Sequence, residues 1–326
     1  MGHIEDGENK RAGRKRLLIT GANGCVGYEI INRLHDKFEI IAVDKTFSNL
    51  NSFAGEIKCI TGDICALDEI SSEFEGVDAV VHLAAKVHEH GTGEDVIEQF
   101  RLINTHATQK LFELCVKYKV KKVIYFSTIA VYGGAEGSIS EATAVNPVSP
   151  YAKSKYEAEQ IGLKMCRENG LPLIILRPAT IYGYLDRGNY RQLISLANKG
   201  LNVIPGKGCN FKPIIYVKDV AGVVESILDK DYAPGETMII CQGNYMYNEM
   251  LGHINRAYGL KPLKISIPIF LIDLLDKCLK MNMIGKLKTL SESITIDNSK
   301  MLNELKYVPE YDFYSGLLDS KEYYVR

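Results

Sequence analysis

The sequence predicts an α/β protein, a doubly wound parallel sheet followed by a smaller C-terminal cap. Three observations predict it. Short apolar runs alternate with longer segments of helical periodicity from Leu17 to Arg177, the order that builds parallel sheets from βαβ units. The runs are apolar on both faces, as strands buried between two helical layers must be. Beyond Tyr182 the alternation gives way to glycines, prolines and shorter elements. Residues 1–15 are expected to form a disordered basic head, 16–182 the sheet domain, and 183–326 mainly the cap, with some segments returning to the core.

The first strand, Leu17-Leu18-Ile19, leads into Thr20-Gly21-Ala22-Asn23-Gly24-Cys25-Val26-Gly27 and then a helix from Tyr28 to Leu34. Strand, glycine-rich turn and helix in that order make a site for a dinucleotide pyrophosphate. Gly21 permits the tight turn, Gly24 lets backbone approach the phosphates, and Gly27 lets the helix pack on the strand. The helix N-terminus adds N–H groups and partial positive charge. Gly21, Asn23, Gly24, Cys25, Val26 and Gly27 are therefore candidate cofactor ligands. The second strand, Phe38 to Asp44, ends in an acid roughly twenty residues beyond the loop, where a carboxylate accepts ribose hydroxyls and repels a 2′-phosphate. Asp44 thus favours NAD over NADP, and the adjacent Lys45 weakens that preference.

Further strands are expected at Ile57–Asp63, Val77–Ala85, Lys122–Ser127 and Leu173–Arg177, with helices at Glu98–Tyr118 and Tyr151–Glu168. His82 lies inside the fourth run and reads as a hydrogen-bonded structural histidine; His88 and His90 read as loop residues. The cap region shows Ile214–Val217, then helices at Val220–Leu228, Tyr247–Tyr258, Ile269–Met281 and Ser299–Leu305. The stretch Ile265–Leu279 is the most apolar, but Pro268, Asp273, Asp276 and Lys277 interrupt it, so it is too short and charged to span a bilayer.

Composition narrows the function. The chain has 326 residues, 46% hydrophobic and 24% charged, with net charge −1, which gives no electrostatic case for nucleic acid. Eight cysteines stand singly, with no CxxC pair and no Cys/His cluster of metal-binding spacing. Free buried thiols, a cytoplasmic location and no metal are expected. The N-terminal residues lack an apolar signal-peptide core.

Two stretches carry chemistry. Ser127-Thr128 closes the fifth strand, and Tyr151-Ala152-Lys153-Ser154-Lys155 opens the next helix. Tyr151 and Lys155 are four apart and share a helix face. An ammonium near a phenol favours phenolate and lowers its pKa, so the tyrosine can exchange a proton with a sugar hydroxyl. Thr128 supplies a hydroxyl to hold the same oxygen.

Together these residues resemble the extended short-chain dehydrogenase/reductase family, in its branch of NAD-dependent nucleotide-sugar epimerases, dehydratases and reductases. The resemblance runs from about Leu17 to Gly316. It rests on the glycine loop, Asp44, Gly62-Asp63-Ile64, His82-Leu83-Ala84-Ala85, Asn104, Ser127-Thr128, Val131-Tyr132-Gly133, Tyr151-x-x-x-Lys155, Glu159, Arg177-Pro178, Tyr182-Gly183, Tyr216-Val217-Lys218-Asp219 and Asp297-x-Ser299-Lys300. It implies a Rossmann-type fold with a substrate-binding cap, and Tyr151, Lys155 and Thr128 as catalytic residues. It implies that Asp63 and Ile64 flank the adenine, that Leu83, Ala84, Ala85, Asn104, Ser127, Tyr151 and Pro178 line the cofactor, and that Lys155 also binds its ribose. It also implies that Lys86, Thr128, Tyr151, Tyr182, Asn189, Asn210 and Lys212 meet a nucleoside diphosphate-sugar, in particular a UDP-sugar.

Two departures from the family pattern are informative. The sugar 4,6-dehydratases follow the catalytic threonine with an Asp-Glu pair; here Ile129-Ala130 follow Thr128, which argues against dehydration. Many epimerases grip the diphosphate with an arginine; here Lys212 stands there, charged but without the bidentate fork. The resemblance implies a 4-epimerase that oxidises C4 transiently, or a 4-keto-sugar reductase; a non-catalytic NAD-binding regulator is the third alternative. The helices at Glu98–Tyr118 and Tyr151–Glu168 are expected to pair across a homodimer, as is common in the family.

Overall fold

Runs rich in Ile, Val and Leu become strands where both faces can be covered. The computed structural model describes residues 13–87, 93–135, 137–186, 188–272, 274, 288 and 290–325. Residues 1–12 of the basic head, His88, His90, Arg187, Cys278 and most of the 269–281 helix lie outside the described residues.

In chain order the first elements are β1 (Arg16–Thr20), α1 (Cys25–Leu34), β2 (Glu39–Asp44), β3 (Lys58–Thr61), β4 (Ala79–His82), α2 (Glu94–Phe100), α3 (Ala107–Lys117), β5 (Lys122–Phe126), β6 (Ser138–Ile139), α4 (Pro150–Asn169) and β7 (Leu173–Pro178). They are followed by β8 (Thr180–Tyr182), α5 (Asn189–Asn198), β9 (Leu201–Pro205), β10 (Phe211–Tyr216), α6 (Val217–Leu228), β11 (Glu236–Ile240), β12 (Gly243–Met246), α7 (Tyr247–Tyr258), β13 (Leu263–Ile267), β14 (Thr295–Ile296), α8 (Ser299–Asn303), α9 (Phe313–Asp319) and α10 (Lys321–Val325).

Seven strands form one sheet in the order β11-β7-β5-β4-β1-β2-β3. The chain starts in the middle at β1 and winds outward both ways, so β1 and β4 flank the point where the order reverses. Ligands of such sheets bind there, beyond the C-terminal strand ends. Parallel pairing sets Thr20 opposite Val43 and His82, and His82 opposite Tyr125. The chain divides into two compact units. One comprises Met1–Gly133, Pro147–Arg177 and Ala221–Met238; the other comprises Gly134–Asn146, Pro178–Val220 and Ile239–Arg326.

The core of the first unit gathers Leu18, Ile41, Val80, Val123 and Leu173 from the strands against Leu111, Phe112, Leu114 and Cys115 of α3 and Ala158 of α4. α4 starts where it does because the Ser149 side chain caps the Ala152 N–H and Pro150 occupies the first turn. It ends at Gly170 in the left-handed conformation. In the second unit, Tyr182, Tyr190, Tyr216 and Phe313 form an aromatic cluster with ring centroids 5.0–6.0 Å apart.

Three expectations are corrected. The helix expected from Glu98 starts at Glu94, helped by Glu94 and Asp95 in its first turn, and a π-helical turn at Arg101–His106 separates α2 from α3. The apolar stretch from Ile265 begins as strand: β13 pairs with β9, and Pro268 follows its end. None of the described cysteines is in a disulfide, as expected, but Cys59, Cys65 and Cys209 are exposed. Cys59 belongs to β3, an edge strand that is mostly exposed. No described helix is long and apolar enough to cross a membrane.

A buried ion pair ties three elements of the first unit. Arg177 on β7 donates Nε and Nη2 to the two carboxylate oxygens of Glu159 on α4, at 3.0 and 2.5 Å, and Nη1 to the Tyr132 hydroxyl at 2.7 Å. The two charged side chains are 7% and 0% exposed. Glu159→Gln leaves a buried guanidinium without its counter-charge and is expected to cost about 3–5 kcal/mol of stability. Urea unfolding midpoints would check this; a shift within error of wild type would contradict it.

Candidate active site

The glycine loop is shaped by contact between the ends of β1 and β4. Gly21 has φ +70°, and a Cβ there would lie 2.7 Å from the Ala84 nitrogen. A Cβ at Gly27 would lie 2.5 Å from the Ala22 carbonyl oxygen, so α1 packs onto the loop only because that residue is glycine. Gly21 N–H donates to the Val43 carbonyl at 3.0 Å. Gly24 sits at the start of α1 in extended conformation, with no side-chain cap and no acid in the first turn. Cys25, Val26 and Gly27 follow as the first residues of α1. An uncapped helix start behind a glycine turn is the arrangement that receives a pyrophosphate.

At the ends of β2 and β3 lies an acidic corner. Asp44 accepts from the Asn23 N–H at 2.9 Å and the Lys45 N–H at 2.7 Å. Asn23 in turn is held by Asn49, which donates its backbone N–H to the Asn23 side chain at 2.8 Å and its amide to the Asn23 carbonyl at 2.7 Å. Nothing in the sequence pattern pointed to Asn49. Asp63 accepts from the Cys65 N–H at 3.0 Å and pairs with the Lys45 ammonium at 2.8 Å. Ile64, next to it, is buried.

Leu83, Ala84 and Ala85 follow β4 and are half-buried, as a trough lining would be. Asn104 braces their continuation. Its side-chain oxygen accepts the Lys86 N–H at 2.8 Å, and its amide nitrogen donates to the Lys86 carbonyl at 3.0 Å and the Ser154 hydroxyl at 3.1 Å. Both amide hydrogens are thus engaged by protein, and Asn104, buried within the π-helical turn, holds the loop. The Lys86 ammonium donates to Gln99. His82 is fully buried between the Thr20 and Thr108 hydroxyls at 2.6 and 2.9 Å. Burial pulls its pKa down to about 3, so it is a neutral structural residue, as expected. Ser127 is also buried, and its hydroxyl has no hydrogen-bond partner among the described residues. An orphaned hydroxyl at the end of β5, with the glycine cradle, fits a bound dinucleotide. Pro178 is the last residue of β7 and is buried.

Thr128 and Tyr151 come together. The Thr128 oxygen caps a short 3-10 turn through the Ala130 N–H at 3.1 Å, and its hydroxyl is near enough to the Tyr151 phenol to lower the phenol's pKa. Phe100 packs edge-on against the tyrosine ring at 6.2 Å. Lys155 corrects the expectation. Its ammonium turns inward, donates to the Phe126 carbonyl at 2.6 Å and sits 4.7 Å above the Tyr125 ring. It does not lower the Tyr151 pKa. Burial pushes that phenol up to about 12, and only the nearby Thr128 hydroxyl opposes the rise. The physical reason is that a shared helix face leaves the long lysine stem free to follow the strand end.

The substrate candidates on the second unit divide. Tyr182 is fully buried: its ring is in the aromatic cluster, and its hydroxyl contacts Gln242 at 3.2 Å. It presents no surface to a sugar, which corrects the expectation for it. The Asn210 amide donates to the Leu290 carbonyl at 2.8 Å and holds that segment. Asn189 is the first residue of α5, and its side chain lies outside the described residues. Lys212 is half-buried on β10; burial lowers its pKa to about 8, against the opposing charge of Glu292. Among the described residues no group of His, Cys, Asp or Glu is arranged to hold a metal.

Burial lowers the Lys155 pKa from 10.5 to about 7, with Glu159 opposing. Between those values the unfolded chain binds a proton that the folded chain lacks, so this residue makes stability rise with pH across the window. Lys155→Met is expected to flatten that rise. Chemical denaturation from pH 6.5 to 10 would test it, and an unchanged slope would refute it.

Residues 17–241 match the model of the NAD dependent epimerase/dehydratase family. A trifunctional UDP-glucose 4,6-dehydratase/UDP-4-keto-6-deoxy-D-glucose 3,5-epimerase/UDP-4-keto-L-rhamnose-reductase of Arabidopsis thaliana is 31% identical over 269 residues, which cover 76% of this chain and 40% of that one. A UDP-glucose 4-epimerase of Vibrio cholerae is 23% identical over 321 residues, 96% of each chain. The crystal structure of UDP-glucuronic acid 4-epimerase from Bacillus cereus in complex with NAD has the same fold, with TM-score 0.80, 24% identity and coverage of 95% of this chain and 98% of that one. With the family match extending over more than half of its length and a fitting cradle at the β1–β4 reversal, the chain belongs to the NAD-dependent epimerase/dehydratase family.

Proposed function

We propose that the protein is a nucleotide-sugar 4-epimerase acting on a UDP-hexose or UDP-N-acetylhexosamine. The observation that carries this reading is the Thr128–Tyr151 hydroxyl pair at the end of β5, followed by Ile129-Ala130 rather than by acids. The full-length similarity to a 4-epimerase supports the same reaction. Bound NAD supplies a hydride acceptor and donor for C4 of the sugar. Tyr151 exchanges the proton of the 4-hydroxyl, and Thr128 holds the same oxygen and biases the phenol toward phenolate. Without an acid after Thr128, no side chain of that turn is placed to eliminate water.

We further assign Lys212 to the diphosphate, as a partly desolvated cation. A homodimer is supported by exposed Ile97 and Leu102 along α2 and its π-turn. The seven cysteines among the described residues, none in a disulfide, fit a reducing cytoplasm. One observation favours the second reading, net reduction of a 4-keto nucleotide-sugar. A phenol held near pKa 12 is a proton donor at neutral pH, which suits reduction.

Incubation with UDP-glucose and UDP-N-acetylglucosamine, followed by chromatography, tests the proposal. Interconversion with the 4-epimer without net use of added cofactor is expected; stoichiometric NADH oxidation by a ketosugar, with no interconversion, would establish the reductase instead. Tyr151→Phe should lower turnover by roughly 10²–10⁴-fold while leaving NAD affinity near that of wild type. Retention of full activity in that variant would sink the mechanism.

A further inference from the structure

We propose that Asp63 enforces the choice of NAD over NADP by holding the Lys45 ammonium away from a 2′-phosphate. In the sequence, Lys45 is the residue that blurs cofactor choice. It directly follows Asp44, and a cation at that point accommodates the extra phosphate of NADP. The structure answers that ambiguity. The Lys45 ammonium lies 2.8 Å from an Asp63 carboxylate oxygen. The other Asp63 oxygen accepts the Cys65 N–H at 3.0 Å, so the carboxylate is fixed by the turn it caps. The two acids reach the same corner because β2 and β3 are adjacent: Asp44 pairs with Thr61, and the Gly62 N–H donates to the Asp44 carbonyl at 3.0 Å.

An incoming 2′-phosphate therefore meets two carboxylates, Asp44 and Asp63, and must displace Asp63 to use the one adjacent ammonium. A ribose 2′-hydroxyl meets no such barrier. The electrostatics agree with the geometry. The Asp63 carboxyl is held below its usual range, first by Lys45 and then by the Cys65 N–H, and Lys45 is raised by the same partner. Both side chains remain substantially exposed, at 67% and 42%. A pair so exposed contributes little to folding, so its removal is expected to leave the protein folded.

The test is a ratio of dissociation constants, Kd for NADP+ over Kd for NAD+, measured by calorimetric titration of the full chain freed of bound nucleotide. It needs no sugar substrate, so its outcome is independent of whether the reaction is epimerisation or reduction. Asp63→Asn keeps the volume and the Cys65 cap, and is expected to lower the ratio about tenfold, the scale of one charged hydrogen bond. The gain should shrink in high salt and vanish in the Asp63→Asn/Lys45→Ala double variant. Equal weakening of both cofactors by Asp63→Asn would overturn the proposal, since it would show only an adenine-side contact. So would a change in ratio that persists without Lys45.

Discussion

The close approach of the β1 and β4 strand ends is the constraint on which the nucleotide side of this protein depends. Gly21 lies against the Ala84 backbone where no side chain fits. That contact sets the turn before α1, brings the helix start to the strand ends and leaves Leu83–Ala85 as the opposite wall. It follows from topology. In a sheet that starts in the middle, the two central strands send their connections in opposite directions, and a crevice opens between them. Glycine is required at Gly21 for two reasons at once, the left-handed φ and the missing Cβ.

Around that crevice, networks of polar side chains hold the walls in place. Asn104 ties the Lys86 backbone to Ser154 of α4. Asn49 steadies Asn23. Arg177, Glu159 and Tyr132 join β7, α4 and the turn that follows Thr128. Each group is buried or half-buried with its hydrogen bonds met, the condition under which polar networks specify a geometry instead of weakening a core. The Thr128–Tyr151 contact sits between two such braces: Thr128 caps the turn that ends in Tyr132, and Tyr151 lies two turns before Glu159 on α4.

The sheet was legible because burial on both faces writes itself into composition. Apolar runs such as Leu17–Ile19 in β1 and Ala79–Val81 in β4 are explained by little else. The glycine loop was legible because its backbone demands restrict residue type. Side-chain direction was not. The Tyr151–Lys155 spacing gave a shared face, yet four methylenes let the ammonium reach the Phe126 carbonyl instead of the phenol. Tyr182 stood in a motif, but its burial is decided by Tyr190, Tyr216 and Phe313, distant in sequence and close in space. The exposure of Cys59 likewise depends on β3 being an edge strand, a property of sheet order that no local pattern encodes.

The protonation of Tyr151 shows how the parts of the site constrain one another. In the protein alone the phenol is protonated at neutral pH, because burial raises its pKa and Lys155 faces elsewhere. Lys155 is itself drained of charge by burial, and Glu159 is what opposes that loss. Yet Glu159 is also the partner of Arg177, so its negative charge is shared between a buried guanidinium and the lysine one helical turn away. The phenol of Tyr151 thus stands apart from the buried charges that run from Lys155 through Glu159 to Arg177 on β7. What sets the protonation of the tyrosine is its own burial and the Thr128 hydroxyl, not that chain of charges.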